Sequence, residues 1–258
     1  MSSSTTGAQP AQRSRIGLLL SAAFGFSTYI VTVAVILHTV AFLHAGPPAP
    51  GGSAAGSNSN ARFPALVVDC GLLILFAVQH SAMATQWFKT RVLARICPNI
   101  VERSVYVLAS SVCLEVVLLN WRFGSMVWDV SPHLRLPLDL AHILGWILIF
   151  SAAVQVDYLE LLGLLQIRYA FINRDAPIVY RSQRVQALYR HMRHPMLIGA
   201  LLVLLSTPVM TTDRLLLVVG FAAYEMAASR LDHRDVEYVR QQLLKQKRKL
   251  LDEAQEEQ

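Results

Sequence analysis

The chain has 258 residues, of which 54% are hydrophobic and only 16% charged, with a mean hydropathy of +0.42. An ordinary soluble domain is roughly 25% charged, so this composition excludes one and indicates an all-α, polytopic transmembrane helical bundle. The formal net charge is +6, which suits anionic lipid. The basic residues are spread over several loops, and there is no direct nucleic-acid motif.

Residues 1–15 are a polar N-terminal segment with Arg13 and Arg15 just before the first apolar run, residues 16–43. That run exceeds the roughly 7–15 apolar residues of a cleaved signal peptide, so it reads as a signal anchor and first span. Residues 45–61 are rich in Gly, Pro, Ser, Asn and Ala. Such a composition buries no core and predicts a disordered loop. The second span, 64–84, carries Asp69 near one end and Gln79, His80 and Ser81 near the other. A basic loop follows with Lys89, Arg91, Arg95 and Arg103.

The third span, 104–120, contains Glu115. Trp121 and Trp128 in the next loop fit an interfacial aromatic belt. The fourth span, 138–165, holds Asp157 and Glu160 on one helical face. They orient a basic partner or a ligand, or else pair with Arg168 or another loop arginine. Six arginines populate residues 166–194. Spans five and six, 195–210 and 215–228, form a hairpin broken by Thr211-Thr212-Asp213-Arg214. The bundle so defined covers 16–231, and a charged tail follows at 232–258.

Six crossings put 19 of the 23 Lys and Arg residues on one side, with both termini. The positive-inside rule makes that side cytoplasmic or nucleoplasmic. A fifth–sixth hairpin that does not fully cross leaves the termini on the same side.

Cys70, Cys97 and Cys113 are odd in number and irregularly spaced, which fits neither a disulfide framework nor a zinc site. Ionisable groups inside spans face the bundle or a watery cavity. The candidates are Glu115, Asp157, Glu160 and Glu225, with Gln79 and His80. The Gln79–His80 pair reads as an interhelical hydrogen-bonding pair or as a catalytic element. His191 and His194 have helical spacing but lack a third ligand, so no metal site is expected. Pro195 suits the first turn of a helix. Arg193 and His194 then stand at a helix N-terminus, where an anion is readily held.

Several stretches carry a family resemblance: DCGLLILFAVQHSAMA from Asp69, ERSVYVL from Glu102, Gly145-Trp146, VDYLELLGLLQIRY from Val156, Arg193-His194-Pro195, and PVMTTDRLLL from Pro208. Over about residues 65–250 they resemble the nurim family of multi-pass inner nuclear membrane proteins. That family is similar to methanethiol S-methyltransferases and, more remotely, to isoprenylcysteine carboxyl methyltransferases, which use S-adenosylmethionine. The resemblance implies a cofactor site from Arg193, His194, Pro195 and Gly199 with Asp232, His233, Arg234 and Asp235. Asp232 and His233 align with an acidic pair of the enzymes. Met196-Leu197-Ile198 replaces their aromatic residue, and Val239-Arg240-Gln241-Gln242 their FG-x-x-Y-type segment.

The expectation is a nurim-like inner nuclear membrane protein with a structural or interaction role. Its basic loops would meet anionic lipid, the nuclear lamina or chromatin-associated proteins. The alternative is an S-adenosylmethionine-dependent membrane methyltransferase acting on a thiol or carboxylate. A third reading is a lipid- or small-molecule-binding relic that keeps the pocket without the chemistry.

Overall fold

The structure, a computed structural model, describes residues 15–45, 59–156, 159, 162–172 and 195–227. Its long helices are α1 (Arg15–Ala45), α2 (Ser59–Ala84), α5 (Glu102–Asn120) and α6 (Pro132–Val156). Between α2 and α5 lies a short helical stretch of α3 (Gln86–Phe88), a π turn (Lys89–Leu93) and α4 (Ala94–Ile96). After α6 come α7 (Leu164–Phe171), α8 (Pro195–Leu205) and α9, helical over residues 212–227. Strands β1 (Met126–Asp129) and β2 (Val209–Thr211) pair antiparallel.

This is a helical membrane bundle. Among the described residues three helices, α1, α2 and α6, are long and apolar enough to cross a bilayer. Large apolar side chains point outward along them, among them Leu20, Ile30, Leu37, Ile74, Val78 and Ile147. Small and hydroxyl residues point inward, as expected where lipid leaves packing and hydrogen bonds to hold helices together. On α1 the buried positions are Gly25, Thr28, Thr32 and Val35, which recur every three or four residues and so line one face. That face meets α5, where Thr32 Oγ1 pairs with Ser111 Oγ at 2.9 Å. Farther along the same contact, toward the C-terminus of α1, the half-buried His38 Nδ1 pairs with Glu115 at 2.9 Å.

The α6–α8 contact is made by two glycines. A Cβ on Gly145 would lie 2.8 Å from the Gly199 carbonyl oxygen, and one on Gly199 2.8 Å from that of Gly145. The backbones approach closely because neither residue has a side chain.

Two span ends differ from the sequence expectation. The fourth span was expected to reach residue 165, but residues 162–163 form a turn and α7 begins at Leu164. Gly163 has φ of 83°, a left-handed conformation that favours glycine, and a Cβ there would sit 2.8 Å from the Ser104 amide nitrogen. The fifth span was expected to reach 210, but α8 stops at Leu205 and the chain turns into β2. The 11 described residues of α8 span roughly 16 Å.

The end of the bundle reached by the C-termini of α1, α5 and α8 is closed by a buried polar clamp. Asp213 is 1% exposed. Its carboxylate accepts from the Trp121 indole N–H at 3.0 Å and the Gly124 amide at 2.8 Å. The Arg122 amide donates to the buried Asp69 at 2.9 Å. Arg214 donates to Thr207 Oγ1 at 2.6 Å and to the Leu43 carbonyl at 3.0 Å. Thr212 N–H donates to Ser125 O, and Val130 N–H to Pro208 O, extending the β1–β2 ladder. Phe42 packs edge-on against Trp121. The clamp thus ties α1, α2, the segment after α5 and the α8–α9 turn to one another.

Asp213→Ala strands two buried donors and is expected to cost about 2–5 kcal/mol. Asp129→Asn removes only the exposed Asp129–Arg135 pair, 3.2 Å long, and is expected to cost about 1 kcal/mol or less. Thermal unfolding of the detergent-solubilised variants measures both, and equal losses would contradict the clamp.

Candidate functional site

The opposite end of the bundle, where α2 finishes and α5 and α8 begin, carries a different polar cluster. The sequence puts Gln79, His80 and Ser81 in the last turns of α2, so at helical spacing they fan out toward different neighbours. His80 turns toward α5. Its Nε2 lies 2.8 Å from the Tyr106 hydroxyl, and its Nδ1 lies 3.3 Å from Ser110 Oγ. Phe76 stacks on the imidazole at 5.4 Å, and the Arg103 guanidinium sits 5.2 Å from the Tyr106 ring centroid. Gln79 donates to Met83 Sδ at 3.1 Å and to Ser110 Oγ at 3.5 Å. Ser81 faces α9, where its hydroxyl pairs with that of Tyr224 at 3.1 Å.

The Gln79–His80 pair is therefore interhelical, as one of its two sequence readings held. Its partners, Tyr106 and Ser110 on α5 and Tyr224 on α9, were not singled out from the sequence. A signal was available, because Tyr106 and Ser110 are four apart and present one polar stripe on an otherwise apolar helix. The cluster brings together an imidazole, two phenols and two serine hydroxyls, all half-buried except the more exposed Ser81. Such groups bind a polar ligand, orient it, and accept or return a proton.

Of the expected cofactor residues, Pro195 opens α8 and Gly199 lies one turn on, against Gly145 and Ile149 of α6. The structure gives Gly199 a packing role. Arg193, His194, Asp232, His233, Arg234 and Asp235 lie outside the described residues, as do Asp157 and Glu160. Glu115 pairs with His38 rather than with the cluster, and Glu225 is half-buried beside Tyr224. Tyr224 stands eight residues before Asp232 in the chain. Among the described residues there is no group of three or more His, Cys, Asp or Glu that could hold a metal. All three cysteines are free thiols, and burial pushes the Cys97 thiol up, with Glu102 adding to the effect.

No family model and no solved structure matches the chain. Curated relatives do. Nurim of Xenopus laevis is 37% identical over 195 residues, 72% of this chain and 68% of that protein. Nurim of Rattus norvegicus is 34% identical over 206 residues, 77% of this chain and 78% of that protein. Methanethiol S-methyltransferase of Mycobacterium tuberculosis is 37% identical over 174 residues, 67% of this chain and 70% of that protein.

A double-mutant cycle of His80→Ala and Tyr106→Phe, read by unfolding in mild detergent, is expected to give a coupling of about 0.6–2 kcal/mol. Strict additivity would mean that the two side chains do not interact.

Proposed function

The chain belongs to the nurim family, and from that premise we propose that it is a multi-pass nuclear-envelope protein carrying an S-adenosylmethionine-dependent methyl-transfer site at the basic end of its bundle. The observation that carries this reading is the His80–Tyr106–Ser110 and Ser81–Tyr224 cluster. It lies at the end where α8 begins, in a chain 37% identical to a methanethiol S-methyltransferase.

S-adenosylmethionine, when bound, supplies an electrophilic methyl group. Arg193, His194 and Pro195 with Asp232, His233, Arg234 and Asp235 would hold it. The donor set at this end, hydroxyls and an imidazole, fits a polar ligand. Methyl transfer needs no protein nucleophile, so the contribution of the chain is orientation. Tyr106 and Ser110 fix the His80 ring between them, and Phe76 limits its tilt. An imidazole held this way orients the acceptor and, where that acceptor is a thiol, takes its proton; a carboxylate has none to give. A thiol or carboxylate acceptor approaches between the helices from the lipid side.

A second reading is a structural or interaction role at the inner nuclear membrane. It is favoured by the exposed Arg91 and Arg95 beside the α2–α5 connection, which suit anionic lipid or an acidic lamina- or chromatin-associated partner. Tagged protein spread evenly through the endoplasmic reticulum would argue against the nuclear location in both readings.

Calorimetry of the purified full chain with S-adenosylmethionine separates the two. Binding that is lost in His194→Ala supports the methyl-transfer site. No heat at millimolar ligand would sink it and leave the structural role.

A further inference from the structure

The stretch joining α2 to α5, whose Arg91 and Arg95 the second reading already uses, carries two exposed apolar residues beside them that no reading above accounts for. Thr85 caps α3 by accepting from the Phe88 amide at 3.2 Å, and the chain then widens through the π turn Lys89–Leu93 into α4. Its inner flank is fixed to the bundle. Leu93 is 3% exposed, and Cys97 packs against the Ile100–Val101–Ile167 core. Among the described residues, nothing covers its outer flank. Trp87, Arg91 and Arg95 recur every four residues and are all exposed. Trp87 is 66% exposed and Ile96, next to Arg95, 73%. Among the described residues no carboxylate forms an ion pair with Arg91 or Arg95.

A tryptophan and an isoleucine this exposed are unfavourable in water but not at a membrane boundary. The height of the segment fits that boundary. Trp87 follows the last residue of the α2 span, Ala84, by three positions, which is roughly 4.5 Å along a helix. Indole rings settle at headgroup level, and arginine stems lie along apolar surface while the guanidinium reaches phosphate. An acidic protein surface would also meet the arginines, but the place of Trp87 and Ile96 just beyond the end of the α2 span favours lipid.

We infer that Trp87, Arg91, Arg95 and Ile96 form an interfacial anchor that binds anionic phospholipid of the leaflet at the basic end. The indole and Ile96 sit at the acyl boundary, and the two guanidinium groups each hold a headgroup phosphate. The anchor fixes the height of α2 and α5 in the bilayer, and with it the depth of His80 and Tyr106. It stands independently of methyl transfer.

The test uses the full chain in nanodiscs of equal parts phosphatidylcholine and phosphatidylserine. Two readouts are taken. The first is phosphatidylserine retained on transfer to detergent, by native mass spectrometry. Arg91→Gln/Arg95→Gln is expected to weaken its binding roughly tenfold or more, and Arg122→Gln/Arg135→Gln at the far end not at all. The second is the Trp87 component of fluorescence, taken as wild type minus Trp87→Phe. It is expected to be quenched by lipids brominated near the headgroup and shielded from aqueous iodide. Unchanged phosphatidylserine retention in the first variant, or iodide quenching of Trp87, overturns the anchor. Iodide quenching relieved by an added acidic peptide would assign the stripe to a protein partner instead.

Discussion

The Asp213 carboxylate is the constraint on which the arrangement of the helices depends. It is buried in the first turn of α9 and accepts from the Trp121 indole and the Gly124 amide, both in the segment that follows α5. A buried carboxylate persists only when its lone pairs are met, so the positions of both segments are fixed by one group. Arg214, next in sequence, reaches Thr207 and the C-terminal end of α1. Gly124 is part of the same constraint, because a Cβ there would lie 2.9 Å from the Asp213 amide nitrogen.

With one end locked, the proposed ligand site lies at the other. Along the bundle, contacts between helices are small-residue approaches and single hydrogen bonds: Gly145 with Gly199, Thr32 with Ser111, His38 with Glu115. Each is modest in a membrane, of order 1 kcal/mol. The basic end has no counterpart to the clamp among its described residues. Its groups are hydroxyls, an imidazole and arginines. A ligand entering between α2, α5 and α9 meets polar partners without breaking a dense network. For a nurim-family chain, that division fits a fixed base with an adaptable binding end.

Composition and hydropathy were enough for the membrane bundle, because long apolar runs state their environment directly. The family was legible in the motifs around Asp69, Glu102 and Pro208, and the curated relatives show it. Less legible were the ends of elements. The fourth span runs apolar through Leu161, Leu162, Leu164 and Leu165, and nothing in hydropathy marks the left-handed Gly163 that breaks it. The fifth continues apolar to Met210, although Ser206, Thr207 and Pro208 signal the stop. The β1–β2 pair is missed because three residues paired across the chain leave no alternation to read. Asp213 and Trp121 were each noticed, one as a polar break and the other as an interfacial aromatic. Their contact is long-range, and sequence spacing carries no record of it. The same holds for Tyr106 and Tyr224, whose meaning depends on which α2 residues they face.

The central claim, a locked far end and a ligand-binding basic end, is tested most directly by hydrogen–deuterium exchange of the full chain with and without S-adenosylmethionine. Residues 121–130 and 206–214 should exchange slowly in both conditions. Protection on ligand binding should appear at 79–81, 103–110, 190–199 and 224–236. Fast exchange at the far end, or no ligand-dependent change at the basic end, would contradict the account.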